Sequence, residues 1–133
     1  MPAGGAEMVQ YTDGFSGFAA PDLDAARTFY GDVLGLEVGE EMGQLALTLP
    51  GGARVFVYQK DDHQPAVFTI LNLVVPDITS SIDELVGKGV TFERYDGFEQ
   101  DERGIASGLG PDIAWCTDPA GNIIAVIGDD GSS

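Results

Sequence analysis

The sequence predicts an α+β fold built from two βαβββ modules, and three observations carry that prediction. Two segments repeat one another without a gap: Pro21-Asp22-Leu23-Asp24-Ala25-Ala26-Arg27-Thr28-Phe29-Tyr30 and Pro76-Asp77-Ile78-Thr79-Ser80-Ser81-Ile82-Asp83-Glu84-Leu85. Each copy follows one apolar, β-prone run and precedes three more. Nineteen glycines and seven prolines in 133 residues favour many short elements over a few long helices. One domain, 1–133, is expected, with module one over about 14–59, a linker at 60–66 and module two over about 67–128.

The first strand is expected over Phe15 to Ala20. Asp22 follows as an N-cap, because its carboxylate can accept the free N–H groups of a first helical turn. Leu23, Ala26, Phe29, Tyr30, Val33 and Leu34 then recur at helical spacing, giving one buried face, and Gly35 closes the helix. A strand at Leu36 to Glu40 comes next. A hairpin follows, Leu45 to Leu49 turning through Pro50-Gly51-Gly52 into Val55 to Tyr58.

Module two repeats the plan. A strand at Val67 to Val75 leads to the N-cap Asp77 and a helix whose apolar face is Ile78, Ile82, Leu85 and Val86, closed by Gly87 or Gly89. A strand is expected at Val90 to Tyr95. The last hairpin joins Ile113 to Thr117 with Ile123 to Ile127 through Asp118-Pro119-Ala120-Gly121-Asn122, where Gly121 or Asn122 takes the positive φ. The copies differ in one respect: Asp96 to Gly110, glycine-rich and charged, is inserted in module two. A loop this long is either mobile and inert or the cover of a binding site, and as a cover it is expected to be removable without loss of folding.

A formal charge of −16 repels phosphate backbones and anionic lipid, so partners among nucleic acids and membrane surfaces are excluded. The acidity reads as a solvated surface, or else as the complement of a cationic partner. Cys116 has no second cysteine to pair with and lies in an apolar run, where a buried structural thiol outranks a nucleophile. The start, Met1 to Met8, lacks a basic residue and an apolar core, and the longest apolar stretch, near Ala66 to Pro76, is too short to span a bilayer. A cytoplasmic protein is the expectation.

The helix motif PDLDAARTFYGDVLGLEV (Pro21 to Val38) and the closing hairpin DPAGNIIAVI (Asp118 to Ile127), set on duplicated modules, resemble the vicinal-oxygen-chelate superfamily. That group holds glyoxalases, bleomycin-resistance proteins and extradiol dioxygenases, and the resemblance runs from about residue 14 to 128. It implies that each module curls into a half-open barrel and that the modules pair, within a chain or between chains, around a ligand-binding cup. It also implies a homodimer. In metal-dependent members the ion is held from one position in the first strand and one in the last strand of a module. Carried onto this chain, those positions are Phe15, Phe56, Ile70 and Ala125, and none bears a metal-ligating atom.

Composition agrees with that reading. A site of two imidazoles and one carboxylate needs two histidines, and the chain has one, His63, in the charged linker. His63 reads as an exposed linker residue, with a proton shuttle or rim contact as the alternative. Glu37, Glu40, Glu41 and Glu93 leave an all-oxygen Mg²⁺ or Mn²⁺ site open. No phosphate-binding glycine loop and no nucleophile elbow is present.

Alternation along strands groups Phe15 with Gly17, Phe56 with Tyr58, Ile70 with Asn72, and Ala125 with Ile123 and Ile127. The expected ligand contacts are therefore Phe15, Phe56, Tyr58, Ile70, Asn72, Trp115 and Ala125, with neither metal nor cofactor. Asn72 either ties neighbouring backbone or touches ligand. Arg54 and Arg94 serve surface ion pairs, or a ligand carboxylate. The functional expectation is a small-molecule binding protein without metal, taking an aromatic or amphipathic ligand. The alternatives are a lyase, isomerase or dioxygenase with a non-standard metal site, and a dimeric module whose cavity Phe15, Phe56 and Trp115 fill.

Overall fold

The computed structural model describes residues 8–108 and 110–129. The start over residues 1–7 lies outside them. In order the chain forms β1 (Ser16–Ala20), α1 (Leu23–Arg27), β2 (Glu37–Glu41), β3 (Gln44–Thr48), β4 (Arg54–Gln59), β5 (Thr69–Val75), α2 (Ile78–Gly87), β6 (Ile113–Thr117) and β7 (Ile123–Gly128). One sheet has the order β1-β4-β3-β2 and the other β5-β7-β6. In each, the first strand of the module runs parallel to the last, and the hairpin strands are antiparallel. The fold is α+β with two modules, and neither sheet closes on itself.

Both helices start as their sequences require. Asp22 Oδ1 accepts the Ala25 N–H at 3.1 Å, and Asp77 Oδ1 accepts the Ser80 N–H at 3.3 Å. The first helix departs from the regular winding that its periodicity predicts: from Thr28 to Val33 it widens to π geometry, with Leu34 N–H donating to Phe29 O at 2.9 Å. Widening inserts a residue into the turn and re-aims the side chains around it. Tyr30 lies in that turn, fully buried, with its hydroxyl 2.6 Å from Asp118 in module two.

The strand expected at Val90 to Tyr95 is a correction, because only an isolated bridge between Phe92 and Cys116 forms there. The loop takes the ladder's partners: Ala106 exchanges both backbone hydrogen bonds with Ile113, and Gln100 takes groups on the other side. Gln100 Nε2 donates to Glu93 O at 3.0 Å and its Oε1 accepts Tyr95 N–H at 2.9 Å, consuming the groups a further ladder would use.

The Asp96 to Gly110 loop is also corrected, from removable cover to part of the core. Ile105 packs with Ile78, Ile82, Ala114 and Val126, and Ala106 packs with Trp115 and Ala125. Asp101 Oδ1 accepts the N–H groups of Arg103 and Ile105, and the Arg103 guanidinium reaches both carboxylate oxygens of Asp83 on α2. Excising this loop would expose that apolar surface, so unfolding, rather than a lost lid alone, is the expected result.

The two modules share one core: Phe18, Ala20, Ala26, Tyr30, Leu45, Leu47, Val55 and Val57 meet Leu71, Val90, Cys116 and Ile124. Gly121 closes the second hairpin with φ +87°, and a Cβ there would stand 3.0 Å from Pro65 Cγ. Strain and contact act in the same direction, so Gly121→Ala is expected to cost about 1–3 kcal/mol, read from the shift in urea midpoint.

Candidate functional site

β1 and β5 are terminal strands of their sheets, so each presents a free edge, and two open hollows lie along them. The first, of about 510 Å³, is bounded by Phe15, Ser16, Leu49, Arg54, Ile70 and Asn72. An aromatic pair borders it through Phe15. Phe15 stacks on Phe56 with centroids 4.8 Å apart, and the Arg54 guanidinium sits 5.1 Å above the Phe56 ring while pairing with Glu41. Phe15 is 66% exposed although it is fully apolar. Gly17 pairs with Phe56, and a Cβ on Gly17 would come 3.2 Å from Phe56 O, so the missing side chain keeps this face open.

The second hollow, about 570 Å³, lies at the other end of β1, where Tyr58, Lys60, His63, Phe68 and Ile70 face it. Tyr58 and Ile70 are thus brought to open space, as is Asn72, which is exposed and makes no side-chain hydrogen bond among the described residues. The backbone-tying role for Asn72 is not what the fold uses. Arg94 donates to Gln100 O at 3.4 Å and supports the loop.

Trp115 and Ala125 are elsewhere. They pair across β6 and β7, Ala125 has no exposed surface, and Trp115 is covered by Tyr95 and Phe98 at centroid distances of 5.5 and 5.1 Å. The loop has filled the concave face of the second sheet. Alternation correctly assigns these residues to one face, yet the face is packed by chain from outside the strand pattern.

Sequence reasoning missed a buried polar cluster that joins the modules. Asp118 Oδ1 accepts the N–H groups of Ala120 and Asn122 at 2.9 and 2.8 Å, and its Oδ2 accepts the Tyr30 hydroxyl and the Asn122 amide. Asn122 Nδ2 also donates to Ala19 O on β1 at 3.1 Å, and Asn122 Oδ1 lies 3.0 Å from His63 Nε2. His63 is therefore a half-buried, anchored residue rather than an exposed one. The Asp-Pro-x-Gly-Asn hairpin was the available signal, but its partners Tyr30 and His63 are far away in sequence. Burial, then the Asp118 charge, holds the Tyr30 phenol well above its ordinary range.

Cys116 is fully buried, and burial first, then the charges of Asp118 and Glu93, pushes its thiol up to about 12. A raised folded pKa contributes stability that is complete below the unfolded thiol's value of about 8.5 and is lost as pH climbs toward the folded one. Between about pH 9 and 12 the slope from this group is about 1.4 kcal/mol per pH unit. Urea midpoints are expected to fall across that window and to fall less steeply in Cys116→Ala; an unchanged slope would contradict the assignment.

Phe15, Phe56, Ile70 and Ala125, where the superfamily resemblance implies metal ligands, bear no ligating side-chain atom, and no group of three or more His, Cys, Asp or Glu side chains able to hold an ion occurs among the described residues. These residues do not fit a divalent cation. No helix among the described residues is long and apolar enough to cross a membrane.

Two related modules, βαβββ and a second in which one strand is reduced to a single bridge, with open hollows beside their first strands, define a class of two-module α+β scaffolds. The chain belongs to the Glyoxalase/Bleomycin resistance protein/Dioxygenase superfamily, whose family model matches residues 11–126. No curated protein sequence matches it. Among solved structures it is similar to a glyoxalase family protein from Bacillus anthracis, at 21% identity and a TM-score of 0.66 over 91% of this chain and 98% of that one. It is also similar to TnmS3, an antibiotic binding protein from Streptomyces sp. CB03234, at 19% identity and a TM-score of 0.64 over 90% and 98% of the two chains. UcmS2 gives 16% identity and a TM-score of 0.68 over 90% and 98%. These likenesses speak to the fold.

Proposed function

We propose that this chain is a small-molecule binding protein that works without a metal and takes a planar aromatic or amphipathic ligand against Phe15 and Phe56. The observation that carries this reading is the solvent-facing ring stack of Phe15 on Phe56, capped by Arg54, at two positions where the fold's metal-dependent members hold ligating side chains. A flat apolar surface with one cationic neighbour recognises rings by dispersion and desolvation. Tyr58, Ile70 and Asn72 extend the wall, while Trp115 and Ala125 stiffen the sheet behind the loop. An antibiotic binding protein among the structural neighbours is consistent with such a role.

The reading includes a cytoplasmic setting and a homodimer. Exposed apolar side chains flank the free edges of β1 and β5: Phe15, Tyr58, Phe68 and Val74. A second copy that covers part of this surface would deepen both hollows. Sedimentation equilibrium is expected to give twice the monomer mass.

The test of function pairs thermal-shift measurements with elemental analysis of untagged protein. Planar aromatic compounds are expected to raise the melting temperature, and Phe56→Ala to abolish the rise, because a ligand that binds only the folded state must stabilise it. Mn²⁺, Fe²⁺, Ni²⁺ and Zn²⁺ are expected to leave it unchanged. Stoichiometric metal in the purified protein, or stabilisation by any of these ions, would overturn the proposal.

A further inference from the structure

The hollow beside Tyr58 contains the chain's one imidazole, and the buried cluster behind it dictates which ring nitrogen carries the proton. Asn122 is 1% exposed, and its amide orientation is forced: Nδ2 donates to Ala19 O and to Asp118 Oδ2, each at 3.1 Å. Its Oδ1 is then an acceptor, so His63 Nε2, at 3.0 Å, must be the donor. In the neutral ring Nδ1 is left as an acceptor, and it has no hydrogen-bond partner among the described residues.

We infer that His63 is the hydroxyl-recognising residue of a ligand site, its Nδ1 accepting a hydrogen bond from a phenolic or enolic O–H of a neutral ring compound seated beside Tyr58 and Phe68. The inference rests on the proposed function for the existence of a ring ligand and places that ligand's hydroxyl-bearing end in the neighbouring hollow, which shares Ser16 and Ile70 with the one beside Phe15. Hollow and chemistry agree. Tyr58, Ala66, Phe68 and Ile70 supply apolar wall around about 570 Å³, room for a bicyclic molecule. The charged groups in the hollow are Lys60 and Asp62, which pair with each other at 2.6 Å, so no free cation awaits an anionic ligand. A chain of formal charge −16 disfavours an anion further. What remains is an oriented acceptor that rewards a donor. A ligand lacking the hydroxyl would leave Nδ1 desolvated and unpaired, and that asymmetry is the source of discrimination.

Because the chain has a single histidine, the imidazole can be watched directly by NMR after ¹⁵N labelling of that residue. In the neutral ring the proton is expected on Nε2. Adding 2-naphthol is expected to move the Nδ1 resonance toward its hydrogen-bonded position. The compound should bind about tenfold more tightly than 2-methoxynaphthalene, which has the rings without the donor, and His63→Ala should erase the preference. A proton found on Nδ1 would overturn the inference. So would equal binding of the two naphthalenes with Nδ1 unmoved, an outcome that leaves the proposed binding function standing. If neither compound binds and no aromatic resonance of Phe15 or Phe56 shifts, both readings fall together.

Discussion

Asp118→Ala is expected to destabilise the protein by about 3–5 kcal/mol, a large share of the roughly 5–15 kcal/mol that holds a domain folded. The carboxylate is 5% exposed and is the common acceptor for two backbone N–H groups, the Tyr30 hydroxyl and the Asn122 amide. Removing it strands these donors in a region closed to water, and each orphan costs about 1–3 kcal/mol. The damage is not local. Tyr30 belongs to the widened first helix and Ala19 to β1, so the cluster fastens module one to the closing hairpin of module two. Tyr30→Phe, which deletes one donor and keeps the ring, is expected to cost about 1–2 kcal/mol. Urea unfolding followed by tryptophan fluorescence measures both, since Trp115 sits on the adjacent strand. Equal effects of the two substitutions would show that Asp118 does not act as the hub.

The second large effect is expected from Ala125→Glu. A carboxylate here restores the last-strand residue of the superfamily's metal-dependent members, so a latent ion site would reveal itself as stability rescued by a divalent cation. The geometry argues for the reverse. Ala125 has no exposed surface and faces Trp115 across the hairpin, with Ala106 of the loop packed alongside. Four added heavy atoms with a charge must displace those neighbours or be desolvated beside them. A loss of at least about 3 kcal/mol is expected, unchanged by Mn²⁺ or Zn²⁺, as read from thermal melts with and without each ion. Rescue by either ion would mean that the second sheet's concave face still assembles around a metal.

Much of the fold is legible locally. Asp22 and Asp77 announce their helices because a capping carboxylate serves N–H groups within three residues of itself. The hairpins follow from turn residues lying between the strands they join. The stack of Phe15 on Phe56 was legible too, since alternation groups Phe15 with Gly17 and the sheet pairs Gly17 with Phe56. The missing strand after Val90 was not, because Gln100 takes its hydrogen-bonding groups from beyond any local pattern. Nor was the role of His63, whose partner is 59 positions away.

By itself the sequence determined the duplicated modules apart from the strand after Val90, the apolar character of Phe15, Phe56, Ile70 and Ala125, and the strongly negative charge, all of which depend on residue identity and short-range periodicity. Only the tertiary structure decided which concave surfaces stay open. The loop after Tyr95 fills the face of the second sheet, and the free edges of β1 and β5 leave hollows at Phe15 and Tyr58. The division has a physical origin. Backbone conformation answers to neighbours within a few residues, whereas the occupancy of a cavity and the tautomer of an imidazole answer to whatever distant chain is packed against them.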